Sequence, residues 1–363
     1  MLVTPRDGPP YQELLYREVA AAGVRVRYTE GPTPSQTLNL MLGPTVLAWC
    51  RARGTRILHI HWVFQFSLPW ARRRPWARKL MEWWFGLYLR TASLLGYGIV
   101  WTAHDLMPHD QVFEDDRRAR DLLLSTAGAV IALSDATAAE LRELGARDVR
   151  VIPMGSYADP YPVTLTTEQA RASFGFGDDD VVVVLIGRME EYKGADLLLL
   201  AAQQLPPTSK IKVLLAGSCS KTYRAELDRL ASEARARVTT MLEWVPDDDV
   251  ARYLQAANVA AFPFREVTNS GSVRLAQSFG RPVVIPDLPN LRDVPRNTAI
   301  RFEAGTAPGV APLVAALRQV EQLSDDAYRT MSIAALTWAT STAWTDAARA
   351  TIETYKAVSL RTD

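Results

Sequence analysis

The sequence predicts an α/β protein made of two doubly wound domains, each built around a parallel sheet. The first observation is length, because 363 residues are more than a single hydrophobic core usually holds. The second is the alternation of short β-branched runs with amphipathic helical stretches, which is typical of βαβ units. The third is composition: 48% apolar and 22% charged residues indicate a globular protein. This balance excludes disordered, collagen-like and disulfide-scaffold classes.

The first series of elements begins with a short strand, LVT, and a helix that opens with PYQELLYREV. Leu14, Leu15 and Val19 fall on one face of that helix, and Gly23 ends it. Further strands are predicted at 24–28, 56–62, 98–103, 129–133 and 149–154. Together they indicate a complete Rossmann-like domain over residues 1–160.

The second series follows a segment rich in Gly, Pro, Thr and Asp, which predicts a linker with one short helix at 155–180. The next run, VVVVLIG, predicts a fully buried strand, since a parallel sheet covered on both faces needs no polar alternation. Later strands are predicted at 211–217, 238–242, 259–264 and 281–287, and three helices close the chain. This series indicates a second domain over residues 161–342, without a sequence repeat of the first.

The charges of the whole chain nearly cancel, with 41 Lys and Arg against 40 Asp and Glu. A net charge of +1 argues against a dedicated nucleic-acid-binding protein. Two cysteines, Cys50 and Cys219, cannot form a disulfide framework, which favours a reducing cytoplasmic location. The opening residues lack the apolar run of a signal peptide, and no run of about 18 apolar residues predicts a membrane-spanning helix.

The strongest chemical signal is the run GRMEEYKGADLLLLA, which follows a buried strand and opens a helix. Gly187 allows a tight turn, so Arg188 is expected at the carboxyl end of the strand, where such sheets bind ligands. Lys193 and Gly194 stand at the start of the next helix, whose free N–H groups favour an anion. Two cations at this place suit a diphosphate leaving group, because its negative charge grows as the bond breaks. The alternative is a solvated loop with ordinary surface charge.

A second polar loop, PFREVTNSGSVRL, follows another predicted strand. Asn269 or Ser270 is predicted to cap the helix that begins there. Gly271 and Ser272 would present successive backbone N–H groups to a phosphate. Glu266, at the end of the strand, is expected to accept hydrogen bonds from sugar hydroxyls. The alternative for the segment Ser270–Ser272 is a plain helix cap, and the alternative for Glu266 is an exposed loop acid.

A third group of polar residues follows the strand at 98–103, where His104 and Asp105 are expected to point into a cleft between the domains. A neutral histidine can donate to a sugar hydroxyl or act as a base, with Asp105 as its orienting carboxylate. His59 alternates with apolar neighbours and is predicted to lie in the core, while His61 also follows a strand. The histidine spacing does not match common zinc sites, so no metal is predicted.

The stretch 69–98 combines cations with aromatic residues and lies in a segment, 51–100, that holds nine Lys and Arg and one acid. Its members include Arg72, Arg73, Arg74, Trp83 and Trp84. Cations meet anionic lipid headgroups and tryptophans lie at headgroup depth, so this stretch predicts a peripheral membrane contact. A core helix with one solvated end is the alternative. A nucleic-acid surface is not predicted, because no known nucleic-acid module accompanies the stretch.

Several motifs, in their order along the chain, resemble those of GT-B glycosyltransferases, and in particular the family-four-like bacterial group that builds polysaccharides and glycolipids. They are GR-x4-KG-x-D-x-LL from residue 187, the strand-end His-Asp, IALS-x5-EL at 131–141, VIP-x-G at 151–155 and G-x-PVV at 280–284. PPYQELLYREV and IPMGSYADPYP look like segments of an exopolysaccharide branch of the same clan. The match covers nearly the whole chain and implies two Rossmann-like domains facing a central cleft.

The resemblance implies roles for single residues of the donor site. Arg188 and Lys193 match the pair that holds the donor diphosphate. His104 matches the histidine that contacts the transferred sugar. Trp244 and Val245 match the loop whose backbone reads the nucleobase.

The resemblance also implies an acceptor side. Gly8 matches the loop near the acceptor and the donor phosphate, and Tyr11 is assigned to the same side. The last helix looks like the one that returns to the first domain, which adds residues 343–363 to that domain. One position departs from the family: Glu266 stands for the first of two glutamates eight residues apart, but Arg274 replaces the second. That second glutamate typically binds ribose in retaining members, so the donor and the stereochemical outcome stay open.

The residues and the resemblance together predict a glycosyltransferase of polysaccharide or glycolipid synthesis. It would move a hexose from a UDP- or GDP-sugar to a lipid-linked or membrane-associated glycan, at the inner face of the cytoplasmic membrane. The nucleotide sugar is the co-substrate, and no cofactor is predicted. A sugar-nucleotide epimerase of the same fold is one alternative, and a degenerate, inactive partner subunit is the other.

Overall fold

The computed structural model describes residues 1–3, 10–29, 41–63, 66, 68, 70–108, 110–234, 237–304 and 310–360. The chain divides into two compact units, the first comprising Met1–Met154 with Ala343–Asp363 and the second Gly155–Thr342. The sequence-based division placed its boundaries after residues 160 and 342. Within the described ranges each unit holds one six-stranded parallel sheet, so the predicted α/β class is confirmed.

The strands of the first unit are β1 (Leu2–Val3), β2 (Arg27–Tyr28), β3 (Ile57–Ile60), β4 (Gly98–Ala103), β5 (Ala129–Ala132) and β6 (Val149–Val151). Their order in the sheet is β2-β1-β3-β4-β5-β6, and all neighbouring pairs are parallel. β3, β4 and β5 are buried along their whole length, as expected where helices cover both faces of a sheet.

The helices that precede the second unit are α1 (Pro10–Ala21), α2 (Gly43–Ala52), α3 (Pro75–Leu94), α4 (Asp116–Thr126) and α5 (Asp135–Glu143). α3 begins with Pro75, whose missing N–H is tolerated in a first turn. Its residues Met81, Phe85 and Leu89, spaced one turn apart, lie in the core of the unit. The Phe85 ring stacks on that of Phe113, with 5.6 Å between ring centroids.

A C-terminal helix (Trp344–Ser359) packs against α1 and β4 and so belongs to the first unit. Its approach to the sheet is close. A Cβ built at Gly98 or at Gly128 would lie 2.7 Å from Cγ1 of Val358. The two glycines therefore allow the helix to lie directly on β4 and on the start of β5.

The strands of the second unit are β7 (Val181–Ile186), β8 (Ile211–Ala216), β9 (Val238–Met241), β10 (Val259–Ala261), β11 (Val283–Pro286) and β12 (Ala299–Phe302). They are parallel and ordered β12-β11-β10-β7-β8-β9. β12 was not predicted, because it is a four-residue edge strand that contains Arg301. The guanidinium of Arg301 donates to the carbonyl oxygens of Leu291 and Val294 at 2.7 Å, which explains how a cation fits there.

The helices of the second unit are α6 (Thr167–Ser173), α7 (Ala195–Gln203), α8 (Lys221–Glu233), α9 (Asp247–Ala256), α10 (Gly271–Ser278), α11 (Ala311–Glu321) and α12 (Asp325–Thr340). α6 is the short helix predicted in the Gly- and Pro-rich segment, and a capping box of Thr166 and Gln169 fixes its start. Among the described helices, none combines the length and apolar character that crossing a membrane requires.

Candidate active site

The strand order of the second unit changes direction between β7 and β10. The chain runs outward from β7 through β8 and β9 on one side, and from β10 through β11 and β12 on the other. Open parallel sheets bind ligands beyond the carboxyl ends of the strands at such a point. The segments after these two strands, 187–194 and 262–270, contain most of the predicted donor-binding residues. The topology therefore brings both predicted donor loops to the same edge of the sheet, at the carboxyl ends of β7 and β10.

The amino group of Lys193 lies at this edge beside Gly187 and Ser272. Gly187 has a φ of +118°, and a Cβ built on it would lie 3.2 Å from Nζ of Lys193 and 3.4 Å from Oγ of Ser272. A glycine at this position leaves the space in which a lysine after β7 and a serine at the start of α10 converge. An ammonium and a hydroxyl so placed can both donate hydrogen bonds to one anionic group.

Lys193 ends a short 3₁₀ turn and is partly buried. Burial lowers the pKa of its amino group to about 8, while the Glu190 carboxylate raises this pKa and Arg188 lowers it. The amino group is therefore mostly protonated at pH 7. An anion bound beside it would favour the charged form and raise the pKa again.

The N-terminus of α10 adds backbone donors at the same place. Ser270 caps the helix, as one of the two predicted candidates, by accepting a hydrogen bond from the N–H of Val273 at 3.1 Å. Gly271 is exposed at the first helical position, followed by Ser272. The first turn of an eight-residue helix thus lies next to the ammonium of Lys193. Free N–H groups, a hydroxyl and a cation together form an arrangement suited to phosphate.

The other predicted donor residues lie around these loops. Arg188 is exposed, and its Nε lies 2.5 Å from a carboxylate oxygen of Glu190. Glu266 is exposed and Asn269 is partly buried in the loop before α10. Arg188 is thus paired with Glu190, and its binding to a donor stays a prediction.

The predicted nucleobase loop lies between β9 and α9. Trp244 is the more exposed of its two residues, with 72% of its surface accessible, and Val245 is partly buried. An exposed indole suits stacking with a base. The loop follows β9, a strand at the edge of the sheet.

Arg265 joins the two donor loops, a role that the sequence alone did not reveal. Its guanidinium donates to both carboxylate oxygens of Asp196, at 2.9 and 2.5 Å, and its backbone N–H donates to the carbonyl of Tyr192 at 2.8 Å. Tyr223 donates to the same carboxylate at 2.7 Å. Burial raises the pKa of Asp196, but the hydrogen bonds from Arg265 and Tyr223 outweigh it and lower the pKa. The Asp of the KG-x-D motif thus ties the start of α7 to the loop after β10.

Gly194 lies where the first donor loop meets α7, with a φ of +71°. A Cβ built there would lie 2.1 Å from the carbonyl oxygen of Pro263, in the second loop. We expect Gly194→Ala to lower the free energy of unfolding by about 2–5 kcal/mol, since left-handed strain adds to overpacking. Gly175→Ala is the matched control: its φ is +75°, but no described atom lies within 4 Å of the built Cβ. Urea unfolding of both variants measures the two free energies of unfolding. Equal losses in the two variants would contradict a close contact between Gly194 and Pro263.

In the first unit, His104 comes directly after β4 and joins a buried series of side chains. Its Nε2 lies 3.0 Å from Nδ1 of His61, whose Nε2 lies 2.5 Å from the hydroxyl of Tyr16. The same hydroxyl lies 2.8 Å from Nδ1 of His59. These four residues, His59, Tyr16, His61 and His104, are named the His-Tyr chain below. Because each hydrogen bond fixes which ring nitrogen carries a proton, the chain couples the tautomer of His104 to the core.

The inner end of the His-Tyr chain is fully buried. Nδ1 of His59 lies 2.7 Å from the hydroxyl of Tyr355, and its Nε2 lies 2.8 Å from that of Thr102. Burial lowers the pKa of His59 and of His104 to about 3, and it lowers that of His61 well below its usual value. The three imidazoles are therefore neutral at pH 7. A neutral His104 has one donor and one acceptor nitrogen, and Nε2 is the one that meets His61.

Aromatic rings hold His104 in place. Trp62 stacks on it with 4.5 Å between centroids and an interplanar angle of 12°. Tyr11 meets it edge-on at 4.7 Å and meets Trp344 of the C-terminal helix at 5.3 Å. Tyr11, which was assigned to the acceptor side, is an interior residue with 5% exposure. It therefore supports His104 rather than presenting a surface to a ligand.

Two further predicted residues of the first unit are Asp105 and Gly8. Asp105 is partly buried next to His104 in the chain. Nε2 of His104 meets Nδ1 of His61, for which the sequence showed only a place at a strand end, and the role of Asp105 in orienting His104 stays a prediction. Gly8 lies outside the described residues, as does His109.

The helix α3 has two faces. One lies in the core, while the other exposes Trp76, Leu80 and Trp83 by 59%, 44% and 63%. Trp70, before the helix, is 46% exposed, and its ring centroid lies 6.1 Å from that of Trp76. These four residues are named the tryptophan face. The predicted core helix is thus seen on one face, while the membrane contact stays a prediction for the exposed face.

Cations border the tryptophan face. Arg72, Arg73 and Arg74 are exposed immediately before α3, and Lys79 is exposed within it. Trp84, predicted with Trp83 for the membrane side, is partly buried. An exposed aromatic row with adjacent cations is the composition of an interfacial helix.

Among the described residues, no group of three or more His, Cys, Asp or Glu side chains could hold a metal ion. Chemistry without a resident metal stays a prediction from the sequence.

Two protein-family models match the chain. Residues 1–155 match the "Glycosyl transferase 4-like domain", and residues 180–326 match the "Glycosyl transferases group 1" model. Only 156–179 and 327–363 lie outside both models, so the matches follow the two sheets seen in the structure.

Curated relatives match over part of their length. A GDP-mannose:glycolipid 4-beta-D-mannosyltransferase of Xanthomonas campestris pv. campestris is 23% identical over 234 residues, 63% of this chain and 61% of the relative. A D-inositol 3-phosphate glycosyltransferase of Kineococcus radiotolerans is 30% identical over 260 residues, 64% of this chain and 58% of the relative. The chain thus matches about three fifths of the length of each.

Solved structures match over the whole chain. Sucrose-phosphate synthase from Thermosynechococcus elongatus has a TM-score of 0.74 at 20% identity, covering 98% of this chain and 97% of that one. At this identity the likeness concerns the fold, which is two parallel-sheet α/β domains of the GT-B type. Family models, relatives and fold agree, and the chain belongs to the GT-B glycosyltransferases.

Proposed function

We propose that the protein is a glycosyltransferase that moves a hexose from a nucleoside-diphosphate sugar to a lipid-linked or membrane-associated glycan. The observation that carries the proposal is the convergence of Lys193, Ser272 and the N-terminus of α10 at the switch point of the second sheet. These groups supply positive charge and hydrogen-bond donors where a diphosphate leaving group gains negative charge. The family supplies the reaction class.

The roles of single residues follow from their positions. Lys193, with Ser272 and the α10 N–H groups, would stabilise the departing diphosphate, and Arg188 would join them after leaving Glu190. Glu266 and Asn269 would bind sugar hydroxyls or phosphate in the same loop, and Trp244 with Val245 would hold the base. His104, neutral and fixed by its neighbours, would contact a hydroxyl of the transferred hexose. No step in this scheme requires a metal.

The donor assignment is tested by thermal-shift measurements with UDP, GDP and their hexose derivatives. A ligand that binds only the native state raises the melting temperature, by an amount set by its concentration over its dissociation constant. We expect one nucleoside diphosphate to raise it clearly more than the other and more than the corresponding monophosphate. GDP is the first candidate, because the Xanthomonas relative is named for GDP-mannose. A flat response to every nucleotide would contradict the proposal.

The acceptor is proposed to be membrane-associated on the strength of the tryptophan face and its cations. An aromatic side chain that leaves water for the headgroup region contributes apolar transfer energy, and each nearby Lys or Arg contributes about 1 kcal/mol on an anionic surface. The relative from Xanthomonas is itself named for a glycolipid. The site for lipid would lie on the first unit, which also carries His104.

We expect the variant Trp76→Ala/Trp83→Ala to bind anionic vesicles at least about tenfold more weakly than wild type, a loss of about 1.4 kcal/mol. Trp49→Ala is the control, because Trp49 is also 51% exposed in the first unit but lies on α2 under the guanidinium of Arg53. Sedimentation with vesicles of phosphatidylglycerol and phosphatidylcholine measures the partition. If the double variant and the control bind the vesicles equally well, the tryptophan face does not bind the membrane.

A further inference from the structure

Arg274, the residue that stands where the family has its second glutamate, is 4% exposed. Its Nε and Nη2 are buried and have no hydrogen-bond partner among the described residues. The guanidinium lies over the ring of Trp338 on α12, with 4.4 Å from Cζ to the ring centroid. A buried guanidinium without an anion is costly, and stacking on one ring offsets only part of that cost.

Two observations indicate that the side chain of Arg274 extends toward the start of α10. Arg274 occupies the fourth position of that helix, and helical side chains lean toward the N-terminus of their helix. The hydroxyl of Tyr157 lies 3.9 Å from a Cβ built on Gly271, the first residue of α10. Tyr157 is also the group that acts electrostatically on Arg274, opposing the burial that lowers the pKa of the guanidinium to about 10. Tyr157 therefore lies near the first turn of the helix and close enough to the guanidinium to act on its charge.

The helix and Tyr157 are held together by hydrogen bonds. The backbone N–H of Tyr157 donates to Oγ of Ser278 at 3.0 Å, and that hydroxyl donates to the carbonyl of Arg274 at 2.8 Å. Arg274 therefore stands on a helix that is tied to Tyr157, not on a loop. At pH 7 its guanidinium is charged, since its lowered pKa still lies well above that pH.

We propose that Arg274 is a donor-binding residue whose unpaired N–H groups bind a phosphate oxygen of the nucleoside diphosphate. This inference rests on the function proposed above. With Arg274, the diphosphate would meet two cations near the start of α10, the partly buried Lys193 and the buried Arg274. In this site a cation that binds the leaving group would stand where the family has a carboxylate that accepts hydrogen bonds from ribose. Other groups would then bind the ribose.

The test measures ligand-free stability and ligand affinity in one variant. Arg274→Met keeps the length of the side chain and removes its charge and donors. We expect the melting temperature of the ligand-free protein to stay equal or rise by a few degrees, because an uncompensated charge has left the interior. Affinity for the cognate UDP or GDP should fall about tenfold or more, while affinity for the corresponding monophosphate should fall less.

Arg281→Met is the matched control, because Arg281 packs against the same helix, α12, but donates to Tyr328 and Gln255 at 3.1 and 3.2 Å. It should lower the melting temperature and leave nucleotide affinity unchanged. Titration with farnesyl diphosphate separates the donor from a prenyl diphosphate acceptor. A loss confined to farnesyl diphosphate, or unchanged affinity for UDP and GDP in Arg274→Met, would overturn the proposal for Arg274. Wild-type protein that binds neither UDP nor GDP would instead overturn the proposed function itself.

Discussion

Replacement of Lys193 by Met is expected to lower kcat/KM for the nucleotide sugar by about 10²–10³-fold, the usual cost of removing one preorganised group that stabilises developing negative charge. The ammonium lies where the loops after β7 and β10 meet, next to Oγ of Ser272, and Met removes the charge while it keeps most of the side-chain length. The fold should survive, because Lys193 lies at the edge of the sheet and is only partly buried. Steady-state kinetics with a saturating acceptor measures the effect.

The pH dependence of diphosphate binding gives this prediction a second readout. Burial lowers the pKa of Lys193 to about 8, so its amino group loses its proton as the pH rises from 7 to 9. Only the protonated form attracts the anion, and wild-type affinity for the cognate diphosphate should therefore fall by up to about tenfold per pH unit above 8. Lys193→Arg is the control, since a guanidinium stays charged in this range. If wild type and Lys193→Arg show the same pH dependence, Lys193 does not bind the diphosphate.

Acid should destabilise the first unit strongly, because the His-Tyr chain buries three neutral imidazoles. In the unfolded chain each histidine has its ordinary pKa of 6.5, whereas in the folded unit the pKa of His59 and His104 is about 3 and that of His61 is far below normal. The unfolded state therefore binds more protons below pH 6.5, and the stability present above that pH is lost as the pH falls. Between pH 7 and pH 5 the loss is about 2 kcal/mol for each histidine.

Urea unfolding followed by tryptophan fluorescence measures this loss, since eight of the ten tryptophans, including Trp344, lie in the first unit. The free energy of unfolding should fall toward pH 5 with a slope that approaches three protons. His59→Asn should reduce that slope by one proton. Tyr16→Phe is the control: it removes a hydrogen-bond partner of His59 and His61 but keeps all three imidazoles, so its slope should equal that of wild type. A wild-type slope near zero would contradict the burial of neutral histidines.

The sequence predicted the architecture well, because buried parallel strands leave local signals. The strand at 98–103 matches β4 residue for residue, and VVVVLIG ends one residue beyond β7. The donor loops were also located from local signals, since Gly187, Lys193 and Ser270 each stand just after a strand or at a helix start. β12 was missed because a short edge strand with an internal arginine has no clear period.

Other features of the site depend on residues far apart in the chain. The bond between Arg265 and Asp196 spans 69 positions, and that between His61 and His104 spans 43. No periodicity reveals such pairs, because each partner alone resembles an ordinary surface acid or core histidine. The sequence showed Arg274 as a departure from the family pattern. Only the structure shows that its Nε and Nη2 are buried without a hydrogen-bond partner among the described residues.

The proposed transfer is tested most directly by following labelled hexose from UDP- and GDP-hexoses into the lipid-extractable fraction of membranes from the organism that encodes the protein. We expect label in that fraction with one class of donor, with one nucleoside diphosphate released for each hexose transferred. With Lys193→Met we expect almost no label. Donor consumption that does not depend on acceptor would indicate epimerisation or hydrolysis instead. Wild-type protein that binds a nucleoside diphosphate but transfers no label to any membrane fraction would contradict the proposed transfer.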